Sequence, residues 1–232
     1  MFSKSAEIYD LIYGFKDYKS ESEKIIDLIT KQKPDCRTIL DVGCGTAEHH
    51  KFLKEKYVMK GVDLNTDLIA VSNDKNKDCK YYVADMRTMD IGKTFDAVLC
   101  LFSSIGYLRS QNELEQAFTR FAKHLNPGGV VIVEPWFTPD KWTPGNRHVL
   151  NAENEQMKVC RMNHSVLEGD VSVLNFHYMI NSEKGVDYFS ERHELKMFTT
   201  KAIIGAFEKA GFKVQFDQDG LIGRGIYIAR RK

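Results

Sequence analysis

The sequence lacks an excess of charge of either sign. Lys and Arg total 33 against 32 Asp and Glu, which gives a net charge of +1 at pH 7. Nucleic-acid-binding domains usually carry a basic excess or a stripe of Lys and Arg, and the densest basic run here is only Arg230-Arg231-Lys232. Nucleic acid is therefore disfavoured as a partner, whereas a small neutral or anionic ligand is not.

The sequence also lacks paired cysteines, a targeting segment and long apolar runs. Its five cysteines are scattered and include no Cys-x-x-Cys pair, which argues against a disulfide framework or a zinc ribbon, and we expect no metal. The first residues contain no apolar stretch, and no window reaches the ~18 apolar residues of a transmembrane helix. These absences predict a reduced, cytoplasmic protein that binds no membrane.

What the chain does contain is an alternation of short apolar runs and amphipathic segments. Strand-like runs lie at 38–42, 57–63, 80–84, 95–101 and 130–134, and helical patterns lie at 21–32, 48–56, 65–73 and 111–125. The run Asn126-Pro127-Gly128-Gly129 is expected to end the last of these helices. The alternation predicts a parallel sheet that is covered by helices on both faces.

After Pro135 the pattern changes to that of antiparallel hairpins. Strand-like segments lie near 157–166, 170–181 and 186–198, and a helix at 201–210 and strands at 213–217 and 225–230 follow. We predict an α/β fold with a doubly wound, Rossmann-like sheet. Residues 1–136 and 199–232 would form that domain, and residues 137–198 would form an inserted antiparallel β-sheet that caps the site and contacts the substrate.

The strongest motif is Asp41-Val42-Gly43-Cys44-Gly45-Thr46-Ala47, between a strand and a helix. Gly43 and Gly45 let the backbone turn tightly and approach a ligand, at the carboxyl edge where doubly wound sheets bind ligands. Asp63 closes the next strand, where a carboxylate can accept from both ribose hydroxyls of an adenosine. After the third strand, Asp85 could accept from an adenine amino group while Met86 packs on the ring.

Two cofactors compete for this loop. A dinucleotide fingerprint would need glycine at position 48, but Glu48 stands there and would oppose a pyrophosphate. Asp41 before the first glycine suits an ammonium group better than a phosphate. A ligand with an amino-acid end and an adenosine end fits best, and S-adenosylmethionine is such a ligand. The alternative is a glycine turn that serves only the fold.

On these residues the sequence resembles class I S-adenosylmethionine-dependent methyltransferases, whose Asp-x-Gly-x-Gly-x-Gly loop matches Asp41 to Thr46. Ala47 replaces the third glycine, and we expect binding to survive because alanine costs little if its φ angle is negative. The resemblance and the motifs together predict these cofactor-binding residues: Tyr18, Asp41, Gly43, Gly45, Asp63, Leu64, Asp85, Met86 and Phe102.

A closer resemblance runs along almost the whole chain. Its blocks are Ile8-Tyr9-Asp10-Leu11, Lys16-Asp17-Tyr18, Ala84 to Arg87, Phe102 to Leu108, Val133-Glu134-Pro135-Trp136, His164-Ser165 and Gly223-Arg224-Gly225. In this order they resemble bacterial N,N-dimethyltransferases of dTDP-linked 3-amino-3,6-dideoxyhexoses in desosamine- and mycaminose-type pathways. The resemblance implies a dTDP-linked amino sugar as substrate and an N-terminal stretch that folds over the cofactor, where Tyr18 would bond the methionine carboxylate.

Candidate catalytic residues are Tyr107 and His177. Tyr107 follows the fourth strand and could orient the amine, although an unperturbed tyrosine pKa near ~10 makes it a poor base. His177 and His193 lie in the inserted strands, where a histidine with a pKa near ~6.5 could take the proton. The alternatives are an aromatic residue that caps the helix at 111 and histidines that pair strands at the surface.

The predicted substrate-binding residues are Tyr9, Tyr107, Trp136, His193 and Arg224. Trp136 could stack on sugar or thymine or serve the core, and Arg224 could bind the pyrophosphate bidentately or be a solvated turn charge. Tyr9 could instead be plain helix packing. Two broader alternatives stay open: another small-molecule acceptor, including a 4-amino sugar nucleotide, and a non-catalytic S-adenosylmethionine-binding protein. Independently of the function, the inserted sheet is a possible homodimer surface.

Overall fold

The computed structural model describes residues 5–231. The strands are β1 (Thr38–Val42), β2 (Val58–Asp63), β3 (Lys80–Val83), β4 (Phe95–Cys100), β5 (Leu125–Val133), β6 (Arg147–Glu153), β7 (Met157–Glu168), β8 (Val171–Ser182), β9 (Gly185–Lys196), β10 (Phe212–Asp217) and β11 (Ile226–Arg231). The helices are α1 (Tyr9–Ile12), α2 (Tyr18–Gln32), α3 (His50–Leu53), α4 (Thr66–Lys75), α5 (Gln111–Lys123) and α6 (Thr200–Lys209). Two 3-10 turns lie at Ala6–Ile8 and Ser104–Tyr107.

The larger sheet has seven strands in the order β10-β11-β5-β4-β1-β2-β3. β1 pairs in parallel with β2 on one side and with β4 on the other, and β11 is antiparallel to both of its neighbours. The chain reverses its direction of winding between β1 and β4, which is the switch point where such sheets bind ligands. The predicted doubly wound α/β fold is confirmed.

The smaller sheet, which we call the roof sheet, consists of β6-β7-β8-β9 with all neighbours antiparallel. Its first strand, β6, is absent from the sequence-based prediction because most of its residues are exposed and show no apolar alternation. The division of the chain into a main domain and an insertion stays a prediction.

Two further boundaries differ from the prediction. The helix expected at 48–56 is only the short α3, since turns occupy both of its flanks. The glycine-proline run at 126–129 lies inside an irregular start of β5, where the pairing with β4 shifts between Phe95 and Ala97. The helix before it has already ended at Lys123.

Helices bury both faces of the larger sheet. On one face α5 and α6 stack Phe118 on Phe207, with ring centroids 3.9 Å apart. On the other face α2 places Ile25 and Ile29 against Ile39. Burial of each such side chain contributes about 1.5–3 kcal/mol to the free energy of folding. The strand ends that form the site are therefore held in place by a well-packed sheet.

Residues 5–17, which we call the N-terminal segment, pack against the roof sheet. Ile12 and Tyr13 share an apolar cluster with Val159, Phe176 and Tyr178. The opposite face of the roof sheet exposes large side chains such as Met179 and Tyr188, and the homodimer stays a prediction. No helix among the described residues is long and apolar enough to cross a bilayer.

Candidate active site

The glycine loop after β1 is held against the end of β2. The backbone N–H groups of Gly43 and Cys44 donate to Val62 O, and that of Gly45 donates to Asp63 Oδ2 at 2.9 Å. Gly43 has φ +73°, and a Cβ there would lie 2.5 Å from Ser104 Oγ. Glycine is therefore required at 43 for both conformation and space.

Ala47 corrects one expectation. Its φ angle is +57°, in the left-handed region, whereas tolerance of alanine was predicted on the condition of a negative φ. A non-glycine residue there costs about 1 kcal/mol or more. The side chain is buried against Ile69 and Tyr81, and this packing partly offsets the strain.

A cavity of about 750 Å³ opens between the carboxyl ends of the parallel strands and the roof sheet. Of the residues predicted for the site, the structure brings all but one to its wall: Tyr9, Tyr18, Asp41, Gly43, Gly45, Asp63, Leu64, Asp85, Met86, Phe102, Tyr107, Trp136, His193 and Arg224. Cofactor and substrate candidates thus share one enclosure.

His177 is the exception, and its predicted catalytic role is corrected. Side chains alternate between the faces of a strand, and the neighbouring Phe176 and Tyr178 are buried on the inner face of β8. His177 therefore points outward, where its Nδ1 lies 2.7 Å from the hydroxyl of exposed Tyr188. It cannot reach a ligand in the cavity.

One end of the cavity is acidic. Asp41 is 3% exposed, and its Oδ1 has no hydrogen-bond partner among residues 5–231. Burial raises the pKa of Asp63, whose carboxylate accepts from the backbone of Gly45 and Asn65. The hydrogen bonds from Arg87 lower the pKa of Asp85. An unpaired carboxylate oxygen beside glycines can hold an ammonium group, and Asp63 and Asp85 can accept from hydroxyl and amino groups.

The N-terminal segment is fastened to the glycine loop by charge. Thr46 Oγ1 donates to Asp10 Oδ1 at 2.5 Å, and the Lys75 ammonium bridges Asp10 and Glu48. These contacts hold Tyr9 and the following residues over the acidic end of the cavity. They make the segment a wall of the site rather than a free extension.

Tyr18 lies at the start of α2 beside a second buried network. Its ring packs edge-on against His49, whose Nε2 lies 2.9 Å from Glu21 Oε2. Burial opposes the charge on Glu21, but hydrogen bonds from His49 and Lys16 outweigh it and lower the pKa of Glu21. Burial raises the pKa of Tyr18, so its hydroxyl stays protonated and can donate to a carboxylate.

Tyr107 and His193, predicted separately, are in direct contact. The Tyr107 hydroxyl lies 2.9 Å from His193 Nδ1, and His193 Nε2 lies 3.4 Å from Glu191 Oε2. His193 is 1% exposed on β9, whereas Tyr107 ends the 3-10 turn after β4. The pair therefore connects the roof sheet to the loop that follows β4 of the larger sheet. Burial raises the pKa of Tyr107 well above its usual range.

A second part of the cavity wall, which we call its basic end, contains guanidinium groups and aromatic rings. Arg161 on β7 lies over the rings of Tyr13 and Phe176, and its Nη1 is buried with no partner in the described part of the chain. Trp136 stacks obliquely on Trp142, with centroids 5.4 Å apart. This end offers a guanidinium group and flat apolar surfaces.

Arg224 belongs to the same end and forms a buried ion pair. Its Nη2 donates to Glu134 Oε1 at 3.0 Å, and the other Glu134 oxygen accepts from the backbone N–H of Phe102 at 2.7 Å. Phe102 and Ser103 have φ angles of +48° and +68°. Glu134 thus stabilises a strained loop at the cavity wall, while the buried Nε of Arg224 has no hydrogen-bond partner within residues 5–231.

Sequence reasoning missed several lining residues, including Arg161, Trp142 and His49. Trp142 is one of only two tryptophans in the sequence, and this rarity was a weak indication of a functional role. Nothing in the sequence indicated Arg161, because the direction of its side chain depends on the register of β7.

A family model described as a methyltransferase domain matches residues 39–129. A dTDP-3-amino-3,6-dideoxy-alpha-D-glucopyranose N,N-dimethyltransferase of Streptomyces fradiae is 37% identical over 226 residues, 96% of this chain and 89% of the relative. A dTDP-4-amino-2,3,4,6-tetradeoxy-D-glucose N,N-dimethyltransferase of Saccharopolyspora spinosa is 30% identical, over 97% of this chain and 92% of the relative.

Two solved structures are similar over nearly the whole chain. DesVI of Streptomyces venezuelae superposes with a TM-score of 0.94 at 34% identity, covering 99% of both chains. CalS10 of Micromonospora echinaspora, described as an amino pentose methyltransferase with S-adenosylmethionine bound, superposes with a TM-score of 0.88 at 31% identity, covering 97% of both chains.

Proposed function

Because the chain belongs to the family of dTDP-amino-sugar N,N-dimethyltransferases, which use S-adenosylmethionine, we propose that it dimethylates the amino group of a dTDP-linked 3-amino-3,6-dideoxyhexose. The observation that carries this substrate class is the polarity of the cavity. Its acidic end suits the ammonium and hydroxyl groups of the cofactor, and its end with Arg161 and Arg224 suits a diphosphate.

The residues at the acidic end fit S-adenosylmethionine. Asp41 Oδ1, buried without a partner among the described residues, would take the ammonium group, and Gly45 leaves open the space at the cavity wall that a Cβ would occupy. Asp63 would accept from the ribose hydroxyls, and Tyr18 would donate to the carboxylate. The cofactor supplies an activated methyl group, so the protein mainly aligns the amine with it, an effect worth up to ~7–11 kcal/mol in well-oriented systems.

Tyr107 and His193 would handle the proton of the amine. A sugar amine must be neutral to attack, and Tyr107 keeps its own proton near neutral pH because its pKa is raised. We assign a relay: the Tyr107 oxygen receives a proton from the ammonium while its hydroxyl proton passes to His193 Nδ1. Tyr107 then stays a neutral phenol, and the charge rests on His193 beside Glu191. Such proton transfer typically contributes ~10²–10⁴-fold.

At the basic end, the guanidinium groups of Arg161 and Arg224 would bind the diphosphate, since guanidinium recognises phosphate oxygens bidentately. Trp136 and Trp142 would stack on the thymine ring. Trp136 is fixed for this by its indole N–H, which donates to Ser172 Oγ at 2.6 Å.

Mass spectrometry of a small acceptor panel tests the proposal. The panel contains a dTDP-3-amino-3,6-dideoxyhexose, a dTDP-4-amino-4,6-dideoxyhexose and the methyl glycoside of the first sugar, each with S-adenosylmethionine and enzyme. We expect two methyl groups on the 3-amino nucleotide sugar and none on the glycoside. Methylation of the 4-amino sugar alone would show that the substrate carries its amino group at C4. Methylation of no member of the panel would show that the acceptor belongs to another class of compound.

Replacing Arg161 with methionine should raise the KM for the nucleotide sugar with little change in kcat. A phosphate contact is equally present in the ground and transition states, and the loss of one charge-assisted hydrogen bond of about 1.5 kcal/mol corresponds to roughly tenfold. Steady-state kinetics with the nucleotide sugar as the varied substrate checks this. The rise in melting temperature that dTDP causes should also be smaller in the variant than in the wild type.

The matched control is Arg192→Met on the same sheet. Arg192 pairs with Glu168 and Glu194 outside the cavity, so its loss should leave KM unchanged. A selective fall in kcat in the Arg161 variant would contradict the diphosphate assignment.

A further inference from the structure

His50 is a fully buried histidine directly behind the glycine loop. It opens α3, and its Nε2 lies 3.1 Å from Asp41 Oδ2. Its Nδ1 lies 2.9 Å from the hydroxyl of Tyr81 on β3. His50 does not line the cavity, so it reaches any ligand only through Asp41.

The chemistry of the partners fixes the direction of these hydrogen bonds. An ionised carboxylate only accepts, so Nε2 of His50 carries the proton and donates to Asp41. In the neutral imidazole Nδ1 then accepts from Tyr81, whose hydroxyl stays protonated because burial raises its pKa. The chain Tyr81–His50–Asp41 therefore runs from β3 to the cavity wall with every hydrogen bond pointing toward the carboxylate.

The arrangement divides the two oxygens of Asp41 between two tasks. Oδ2 is anchored on His50, whereas Oδ1 is buried and without a partner among the described residues. A carboxylate so fixed presents one oxygen in one orientation. Loss of the anchor would let the side chain rotate and would leave a second buried oxygen unsatisfied.

We propose that His50 is the positioning residue for the cofactor's ammonium group, holding Asp41 so that Oδ1 faces it, and that a proton on His50 competes with that ammonium for the Asp41 charge. The inference rests on the proposed placement of the ammonium beside Asp41. Binding of the ammonium group would then require His50, which lies outside the motif Asp41 to Ala47, as well as the motif itself.

The surroundings of His50 support a proton-linked effect. Burial disfavours its charged form, but the hydrogen bonds to Asp41 and Cys79 and the charge of Asp41 outweigh burial and raise the pKa of His50. The titratable groups that face it are Asp41 from β1, Tyr81 from β3, and Cys79 and Asp78 from the turn before β3. Of these, Asp41 is the one that also faces the ligand.

The sign of the linkage follows from charge. A second cation at Asp41 disfavours protonation of His50, so cofactor binding lowers the pKa of His50 and releases a proton. Binding of the cofactor and binding of the proton oppose each other to the same extent. The affinity for the cofactor therefore rises as the pH increases and His50 loses its proton. The ligand's own amino-acid ammonium group stays charged through neutral pH, because its neighbouring carboxylate stabilises the charge. A pH range of about 5.5–7.5, where histidines titrate, therefore isolates the effect.

Calorimetric titration with two ligands tests the proposal. S-adenosylhomocysteine carries the amino-acid end, and 5′-methylthioadenosine has the same adenosine but lacks that end. We expect His50→Leu to weaken S-adenosylhomocysteine about tenfold and methylthioadenosine less than twofold. In His50→Gln the amide N–H can replace Nε2–H as the donor to Asp41. This variant should bind S-adenosylhomocysteine as tightly as the wild type, but its affinity should no longer rise with pH.

Two further variants separate the explanations. Asp41→Asn tests the ammonium placement itself: if its affinity for S-adenosylhomocysteine is unchanged, that placement fails. If Asp41→Asn loses affinity and His50→Leu does not, only the role of His50 is overturned. His124→Leu is the control, since His124 is also buried with both ring nitrogens bonded and does not line the cavity.

A purely structural role for His50 would weaken both ligands equally. That result overturns the proposal. If His50→Leu does not fold, the comparison of wild type with His50→Gln decides: equal dependence on pH in both, measured as the ratio of the two ligands' affinities, also overturns it.

Discussion

Replacing Asp63 with alanine is expected to weaken binding of S-adenosylhomocysteine by about 100-fold. The proposed contacts are two hydrogen bonds from ribose hydroxyls to a carboxylate, each worth about 1.5 kcal/mol, and 3 kcal/mol corresponds to about two decades of Kd. The pKa of Asp63 is raised by burial, so the carboxylate is costly to keep ionised and its loss should not unfold the protein. Calorimetric titration measures the effect.

The same experiment contains its control. Asp67 lies four residues on, exposed in the first turn of α4 and outside the cavity, and Asp67→Ala should leave Kd unchanged. Asp63→Ala should weaken adenosine as strongly as S-adenosylhomocysteine, because both carry the ribose. Unchanged affinity for either ligand would refute the ribose assignment.

Replacing Tyr107 with phenylalanine should lower kcat by about 100-fold, the low end of the range for a positioned proton-transfer group. The ring and its packing remain, while the hydroxyl that contacts His193 is lost. The Kd of S-adenosylhomocysteine should not change, since the acidic end of the cavity is untouched. Single-turnover kinetics with saturating nucleotide sugar measures the methyl-transfer step directly.

The roof sheet supplies a matched control for this variant. Tyr188 and His177 form a second Tyr–His pair, with 2.7 Å between hydroxyl and Nδ1, on the outward face. Tyr188→Phe removes the same kind of hydrogen bond at an exposed site outside the cavity and should leave kcat unchanged. If the Tyr107 variant kept full kcat and raised only the KM of the sugar, Tyr107 would bind substrate without relaying a proton.

Much of the site followed from the sequence because it lies at strand ends. An apolar run that stops at Asp41 and glycine, and another that stops at Asp63, place both carboxylates on one edge of a parallel sheet wherever the neighbouring helices pack. The α/β class and the cofactor-facing residues therefore depend on local patterns that survive without knowledge of long-range contacts.

The roof sheet could not be assigned in this way. The strand that contains His177 has apolar residues on both of its faces, for example Val173 and Met179 on one and Leu174 and Ile180 on the other, so alternation alone does not tell which face is inner. Only the packing of Phe176 and Tyr178 against the N-terminal segment turns His177 outward. The register of β9 with β8 then sets His193 opposite Leu174 and brings it to Tyr107.

The sequence by itself determined the doubly wound sheet, the glycine loop and the acidic strand ends, because these arise from periodicity and from residues close together in the chain. The tertiary structure decided which histidine faces the cavity, the left-handed backbone at Ala47, the direction of Arg161 and the contact of His50 with Asp41. Each of these depends on strand register or on packing between distant segments, where a shift of one residue reverses the face that a side chain occupies.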